Sequence, residues 1–293
     1  MKRNLFLLLL ILPVAMLGQQ LKTPTLSPIT KISQQVGLTS VDLEYSRPSA
    51  KGRVIFGDLV PYDAIWRTGA NASTKLTFSE PGFINKQPVE AGTYALYTIP
   101  GKEEWTIIVH TKLTMRSLAG DAYQESNDLF RFKIKPEKST DFVETFTLQF
   151  ADITSHSMNL RLSWEHTVVY IPIQVEVDKK IAEQMDTLLE NPDAISHRTY
   201  LSAAQYYLTN NKDMNSALDW IDAGLAKSPK NFRYGLLKAK IQYKMGDTAG
   251  AVQTIDTAHE WAKEANNANY MAVSYTHLRA HETKTRISFY GLW

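Results

Sequence analysis

The chain has 293 residues, of which 44% are hydrophobic and 21% are charged, and its formal net charge is +2. This length suits about two domains, and the composition is that of a globular chain, not a disordered one. The lack of cysteine excludes disulfides and lipid attachment to a cysteine, and the near-neutral charge argues against non-specific binding of nucleic acid.

The N-terminal residues have the layout of a secretory signal peptide. Lys2 and Arg3 precede an apolar run, residues 5–17, that is too short to span a membrane, and no later stretch is apolar enough to do so. We therefore predict that residues 1–19 are a signal peptide and that the protein is exported to the periplasm or the extracellular side of the cell envelope. The alternative is an uncleaved anchor.

Hydrophobic residues alternate along most of residues 29–177, as in half-buried strands. In "VDLEYS", for example, Val41, Leu43 and Tyr45 fall on one face. The same alternation occurs in "TKLTFS", "TYALYTI", "WTIIV", "LFRFKI", "VETFTLQF", "MNLRLSW" and "VVYIPIQV". About nine short strands separated by Gly, Pro, Asn and Asp predict an antiparallel β-sandwich domain over residues 26–177.

Two long connections interrupt this strand pattern, at residues 47–71 and at residues 111–128. Connections of this length in a compact domain are usually functional or disordered. The first, which we call the crossover, contains Ile55, Phe56 and Trp66, and this apolar content predicts a packed segment. The crossover is therefore the first place to look for a binding site.

The hydrophobic period changes to that of α-helices after Asp178. "DKKIAEQMDTLLEN" is amphipathic, and later helices are expected to stop at "NNKD", "SPKN" and "MGDT". Residues of similar size recur about 34 positions apart, at Ala217 and Ala251, Ile221 and Ile255, and Gly224 and Ala258. This pattern resembles a tetratricopeptide repeat and predicts an all-α repeat array at residues 178–273. A generic array of helical hairpins is the alternative.

The last segment departs from the helical pattern. The peptide "SYTHLRAHET" resembles translated sequencing-adapter DNA, and the chain ends in "FYGLW" instead of a polar capping helix. We therefore predict that residues 274–293 are a non-native or frame-altered tail, and no function is assigned to them.

The segments "YSRPSAKGRVIFGDLVPYDAIWRTGANASTKLTF" and "AGTYALYTIPGKEEWTIIV" closely resemble one family. This is the bacterial domain-of-unknown-function 2911 family, and the resemblance covers about residues 26–177. It implies an exported envelope protein, and a helical repeat region after the domain is also seen among relatives. The family supplies no activity, substrate or cofactor.

Basic residues are concentrated in the crossover. Arg47, Lys51, Arg53 and Arg67, together with Asn71, could form a site for a small anionic or glycan ligand. In the alternative interpretation the arginines pair with nearby carboxylates such as Glu44 and Glu90, and Trp66 fills the core.

No catalytic or metal-binding pattern is present in the sequence. His110, His156 and His166 lack the spacing of metal ligands, and no Gly-x-Ser-x-Gly segment occurs. We therefore expect no metal and no cofactor, and we favour a non-enzymatic binding module. An envelope hydrolase acting at the crossover and a purely structural scaffold are the alternatives. We also predict that the helical repeats bind a protein or peptide partner through Tyr206, Tyr207 and Tyr243.

Overall fold

The computed structural model describes residues 23–113, 123–267 and 269–270. The predicted signal peptide at residues 1–19 and the predicted non-native tail at residues 274–293 lie outside them. The chain divides into two compact units between Val177 and Asp178. The first unit, called the β-unit, contains two antiparallel sheets, and the second, called the helical unit, contains α-helices. The predicted order of a mainly antiparallel β region followed by helices is confirmed.

The larger sheet of the β-unit has six strands in the order β1-β2-β3-β6-β7-β8. Every neighbouring pair is antiparallel, and β1 and β2 are joined by a tight turn at Gly37-Leu38. The strands are β1 (Ile29–Val36), β2 (Thr39–Ser46), β3 (Thr74–Phe78), β6 (Gly92–Ile99), β7 (Trp105–His110) and β8 (Asp128–Ile134).

The smaller sheet has four strands in the order β5-β4-β10-β9. They are β4 (Gly82–Ile84), β5 (Gln87–Val89), β9 (Glu137–Ala151) and β10 (Ser157–Val175). The sequence pattern predicts two separate strands here, "MNLRLSW" before Glu165 and "VVYIPIQV" after it. They form one strand instead, with the irregularity absorbed as shifts in register on either side of Glu165, whose φ is +50°.

The buried faces of the two sheets contact each other. The alternating residues Val41, Leu43 and Tyr45 of β2 are all buried, as their spacing predicts. The Tyr45 hydroxyl donates a hydrogen bond to the Leu148 carbonyl of β9 at 2.9 Å and accepts one from the Leu148 amide at 3.0 Å. Bonds of this kind satisfy polar groups inside the core and fix one sheet against the other.

Five helices of the helical unit lie wholly within the described residues. They are α1 (Asp178–Leu189), α2 (His197–Thr209), α3 (Met214–Lys227), α4 (Phe232–Lys244) and α5 (Thr248–Glu264). The ends of α2, α3 and α4 coincide with the polar segments that predict helix stops. Asp213 and Asp247 cap α3 and α5, since their carboxylates accept hydrogen bonds from amides of the first turn.

Small residues allow these helices to approach closely. A Cβ atom added to Gly224 of α3 would lie 2.8 Å from the Tyr234 ring of α4. One added to Gly235 of α4 would lie 2.7 Å from the Ala258 side chain of α5. These distances are too short for ordinary contact, so the observed spacing of the helices depends on glycine at both positions.

Candidate functional site at the crossover

The two ends of the crossover are fixed to different sheets. Its first residues pair with β9, where the Ala50 amide donates to the Glu144 carbonyl and the Phe146 amide donates to the Pro48 carbonyl, both at 2.8 Å. Its last part pairs with β6, where Trp66 and Thr98 exchange backbone hydrogen bonds of 2.7 and 2.9 Å. The segment is therefore held as a rigid wall of the β-unit, consistent with the prediction that it is packed.

Left-handed backbone conformations recur along this segment. Lys51, Thr68 and Asn71 have φ values of +51°, +55° and +62°. Thr68 is the most unusual, because a β-branched residue seldom adopts this conformation and its side chain is fully buried. Its hydroxyl lies 3.2 Å from that of Thr98, and its carbonyl accepts a bond from the Thr74 hydroxyl. Tertiary hydrogen bonds therefore impose the shape of this turn.

Trp66 lies in an aromatic cluster between the sheets. Its ring stacks on Trp164 of β10 with a centroid distance of 5.9 Å and contacts Phe146 of β9 at 5.1 Å. Phe56 of the crossover meets both tryptophans edge to face. The indole N–H of Trp66 donates to the Gly69 carbonyl at 3.0 Å. Trp66 thus fills the core, as the alternative interpretation of the crossover predicts. The other part of that interpretation is that the arginines pair with carboxylates.

A cavity of about 400 Å³, called the crossover cavity, lies beside this cluster. Its size is within the range of small-molecule sites. The cationic side chains that line it are Lys51, Arg53 and Arg67, and the hydroxyl side chains are Ser27 and Ser49. Its apolar side chains include Leu26, Leu59, Val60, Trp66 and Trp164.

Two of the cations at the cavity, Arg53 and Arg67, donate hydrogen bonds to backbone carbonyls. Arg53 donates to the carbonyls of Ser49 and Ala50 at 2.7 and 2.9 Å, and Arg67 donates to the Asn71 carbonyl at 2.7 Å. The Lys51 ammonium contacts no hydrogen-bonding or acidic group of the described residues, and the Glu144 carboxylate binds its backbone amide instead. Carbonyl partners orient a guanidinium without neutralising it, so Arg53 keeps its charge beside the cavity.

Glu44 does not pair with the arginines of the crossover. Its carboxylate lies between Lys31 of β1 and Lys75 of β3, at 2.7 and 3.0 Å. These two ammonium groups hold the pKa of Glu44 below its usual value. The other proposed partner, Glu90, accepts a hydrogen bond from the Tyr94 hydroxyl through its carbonyl. The interpretation that Glu44 neutralises the cluster is therefore wrong.

Arg47 and Asn71 do not line the cavity, and their side chains bond to the framework around it. The Arg47 guanidinium donates to the Phe146 carbonyl at 3.1 Å and to the Thr147 hydroxyl at 2.7 Å. The Asn71 amide donates to the Ser27 carbonyl and to the Ser46 hydroxyl. Of the five predicted ligand-binding residues, the structure brings three to the cavity and directs these two into the hydrogen bonds that surround it.

The comparison with known families identifies the β-unit. The family described as "Protein of unknown function (DUF2911)" matches residues 27–173, half of the chain. The chain belongs to this family. Its match contains the whole crossover and almost the whole β-unit, and it ends before the helices begin. Neither the comparison with curated proteins nor that with solved structures gave a significant match.

A second polar cluster joins β7 and β8 to the segment that precedes β8, and its residues do not line the cavity. The Tyr123 hydroxyl donates to Asp128 at 2.6 Å and accepts from Arg131 at 2.8 Å, while Arg131 also binds Asp128 and Glu125. Burial and the Asp128 carboxylate raise the pKa of Tyr123. His110 is fully buried, with its Nε2 4.0 Å from Asp128. The other four residues bind each other and stabilise the sheet edge, whereas the Nε2 atom of His110 has no hydrogen-bond partner among the described residues.

The tyrosines proposed to bind a partner are engaged inside the helical unit. The Tyr206 hydroxyl donates to the Asp178 carboxylate, and the Tyr207 ring meets Trp220 edge to face at 4.5 Å. Tyr243 packs against the core formed by Ala239, Ala251 and Ile255. These contacts hold the three half-buried side chains in the helical framework, and the binding of a partner by them stays a prediction.

Several cavity residues carry no signal in the sequence. Leu26 precedes the first strand, Leu59 is one of several apolar residues in the crossover, and Trp164 belongs to a distant strand. The basic cluster could be found because its members are close in sequence. Trp164 could not, because only the pairing of the crossover with β9 brings β10 beside it.

Proposed function

We propose that this protein is a non-enzymatic binding protein of the cell envelope, and that its β-unit binds a small anionic ligand in the crossover cavity. One observation carries the proposal: among the described residues that line this cavity, three are cationic and none is acidic. A cleft lined by one sign of charge concentrates oppositely charged solutes.

The fixed position of Arg53 supports anion binding. Two of its five N–H groups are held by carbonyls of the crossover, whose backbone is itself fixed to β9. The remaining donors can bind a carboxylate, phosphate or sulfate without first losing side-chain freedom. Preorganisation of this kind improves affinity because less conformational entropy is lost on binding.

The alternatives are a hydrolase at the crossover and a scaffold without a ligand. General acid–base hydrolysis needs an imidazole or carboxyl group within hydrogen-bonding reach of the substrate. The described lining of the cavity contains no His, Asp or Glu, which favours binding over catalysis. Arg53 has no acidic partner among the described residues, and this favours a ligand over a scaffold, because a purely structural arginine would gain more from an acidic partner.

The test is titration calorimetry of the full chain with sulfate, phosphate, acetate and hexanoate at constant ionic strength. We expect at least one of these anions to bind and Arg53→Leu to weaken it about tenfold or more, since a hydrogen bond to a charged group contributes about 1.5–3 kcal/mol. Lys51→Ala should also weaken it, because the ammonium lies at the same cavity.

Lys135→Ala is the matched control, because Lys135 is an exposed lysine that does not line the cavity. It removes the same charge and should leave affinity unchanged. The proposal fails if none of the four anions binds, or if Arg53→Leu and Lys135→Ala bind them equally well.

For the helical unit we propose a pair of tetratricopeptide-like hairpins that hold a protein partner. Support comes from the repeated small residues and from the close approach at Gly224 and Gly235. Export to the envelope is part of the same proposal and rests on residues 1–19.

A further inference from the structure

The mouth of the crossover cavity combines positive charge with exposed aliphatic side chains. Leu26 and Leu59 both line the cavity and are 81% and 45% exposed. Val54, whose carbonyl accepts a hydrogen bond from the Leu59 amide, is exposed as well. Single exposed apolar residues are common, but Leu26 and Leu59 share one cationic cavity, and this combination of charge with exposed aliphatic surface indicates a binding surface.

The aromatic floor of the cavity is not open to a flat ligand. Trp164 is 1% exposed and Trp66 is 9% exposed, and their rings stack on each other with an interplanar angle of 22°. Phe146 packs against both rings. Because protein already covers the ring faces, a sugar has no aromatic face to stack on. The apolar surface offered to a ligand is mainly aliphatic.

We infer that the ligand is a free anion that carries a short aliphatic chain, such as a medium-chain carboxylate. This inference rests on the proposed anion-binding function and specifies its ligand class. Arg53 and Lys51 bind the head group, and Leu26 and Leu59 contact the chain. The cavity volume of about 400 Å³ suits a single small molecule.

The experiment is a titration of the full chain with acetate, butanoate, hexanoate and octanoate at constant ionic strength. Each buried methylene contributes about 0.8 kcal/mol, so we expect affinity to rise about fourfold for each methylene that enters the cavity. Hexanol, which lacks the charge, and glucuronate, which lacks the chain, should both bind more weakly than hexanoate.

Two variants separate the head group from the chain. Leu59→Asn should flatten the dependence on chain length and leave acetate affinity unchanged. Leu129→Asn is its matched control, since Leu129 lies on β8 outside the cavity and is similarly exposed, at 43%. Arg53→Leu should weaken all four carboxylates by the same factor.

Equal affinity for acetate and octanoate would overturn the aliphatic ligand and leave the anion site intact. Tighter binding of glucuronate than of hexanoate would overturn the aliphatic ligand and would indicate that the ligand is a sugar acid. The protein could instead co-sediment with phosphatidylglycerol vesicles while its affinity for free carboxylates does not change with chain length. That pair of results would also overturn the aliphatic ligand and would indicate that the site binds a membrane surface. If no anion binds at all, the proposed function itself is rejected.

Discussion

Trp66 fills the core of the β-unit and also fixes the turn that carries Arg67. Its ring is part of the aromatic cluster, its backbone pairs with Thr98, and its indole N–H satisfies the carbonyl of Gly69. Gly69 is buried and has a φ of +147°, and a Cβ there would lie 3.0 Å from the Ser46 carbonyl. The turn that carries Arg67 to the cavity therefore depends on this hydrogen bond and on glycine, in addition to the bonds that Thr68 makes with Thr98 and Thr74.

Trp66→Phe tests this role. The phenyl ring keeps an aromatic contact but leaves the buried Gly69 carbonyl without its donor, and an unsatisfied buried group costs about 1–3 kcal/mol. We expect that loss in the free energy of unfolding, measured by urea denaturation. Trp220→Phe is the control, because the Trp220 indole nitrogen makes no hydrogen bond with the described residues. Equal losses in both variants would show that ring size, not the hydrogen bond, decides stability at Trp66.

At the scale of elements, close contact between helices sets the geometry of the helical unit. Gly224 of α3 lies against the Tyr200 and Tyr234 side chains, and the Tyr234 hydroxyl is bonded to His197 at 2.7 Å. A ring held at both its face and its hydroxyl cannot move aside easily. Helix propensity therefore favours alanine at position 224, whereas packing against the Tyr234 ring favours glycine.

Gly224→Ala distinguishes these two demands. Propensity alone predicts a gain of about 0.5–1 kcal/mol, because glycine is unfavourable inside a helix. Overpacking costs about 1–3 kcal/mol, and we expect it to win, so the variant should be less stable in urea. In a Tyr234→Leu background the same change should cost less, since the obstructing ring is absent. A more stable single variant would mean that α3 and α4 can separate.

At the scale of the whole molecule, the formal charge of +2 depends on the N-terminal segment. Removal of residues 1–19 takes away Lys2 and Arg3 and leaves a neutral chain. In a neutral chain, attraction of anions depends on local clusters such as the crossover cavity and not on the net charge.

We expect a bacterial host that expresses the full sequence to deliver a shortened chain to its periplasm. Mass spectrometry of the periplasmic fraction should show the loss of residues 1–19. Leu8→Arg interrupts the apolar run and should retain the full-length chain in the cytoplasm. Detection of the uncleaved wild-type chain in the membrane fraction would instead support an anchor.

The sequence by itself determined the order of a β region and a helical region, the packed nature of the crossover and the concentration of cations within it. These features follow from alternation, helical period and short sequence spacing, which are local properties of the chain. Only the tertiary structure decided that Arg53 borders a cavity while Arg47 bonds to β9. The reason is physical: the direction of a guanidinium depends on which carbonyls lie within reach. The carbonyl that holds Arg47 comes from β9, far along the chain, whereas those that hold Arg53 are local but are kept in place by the pairing of the crossover with β9.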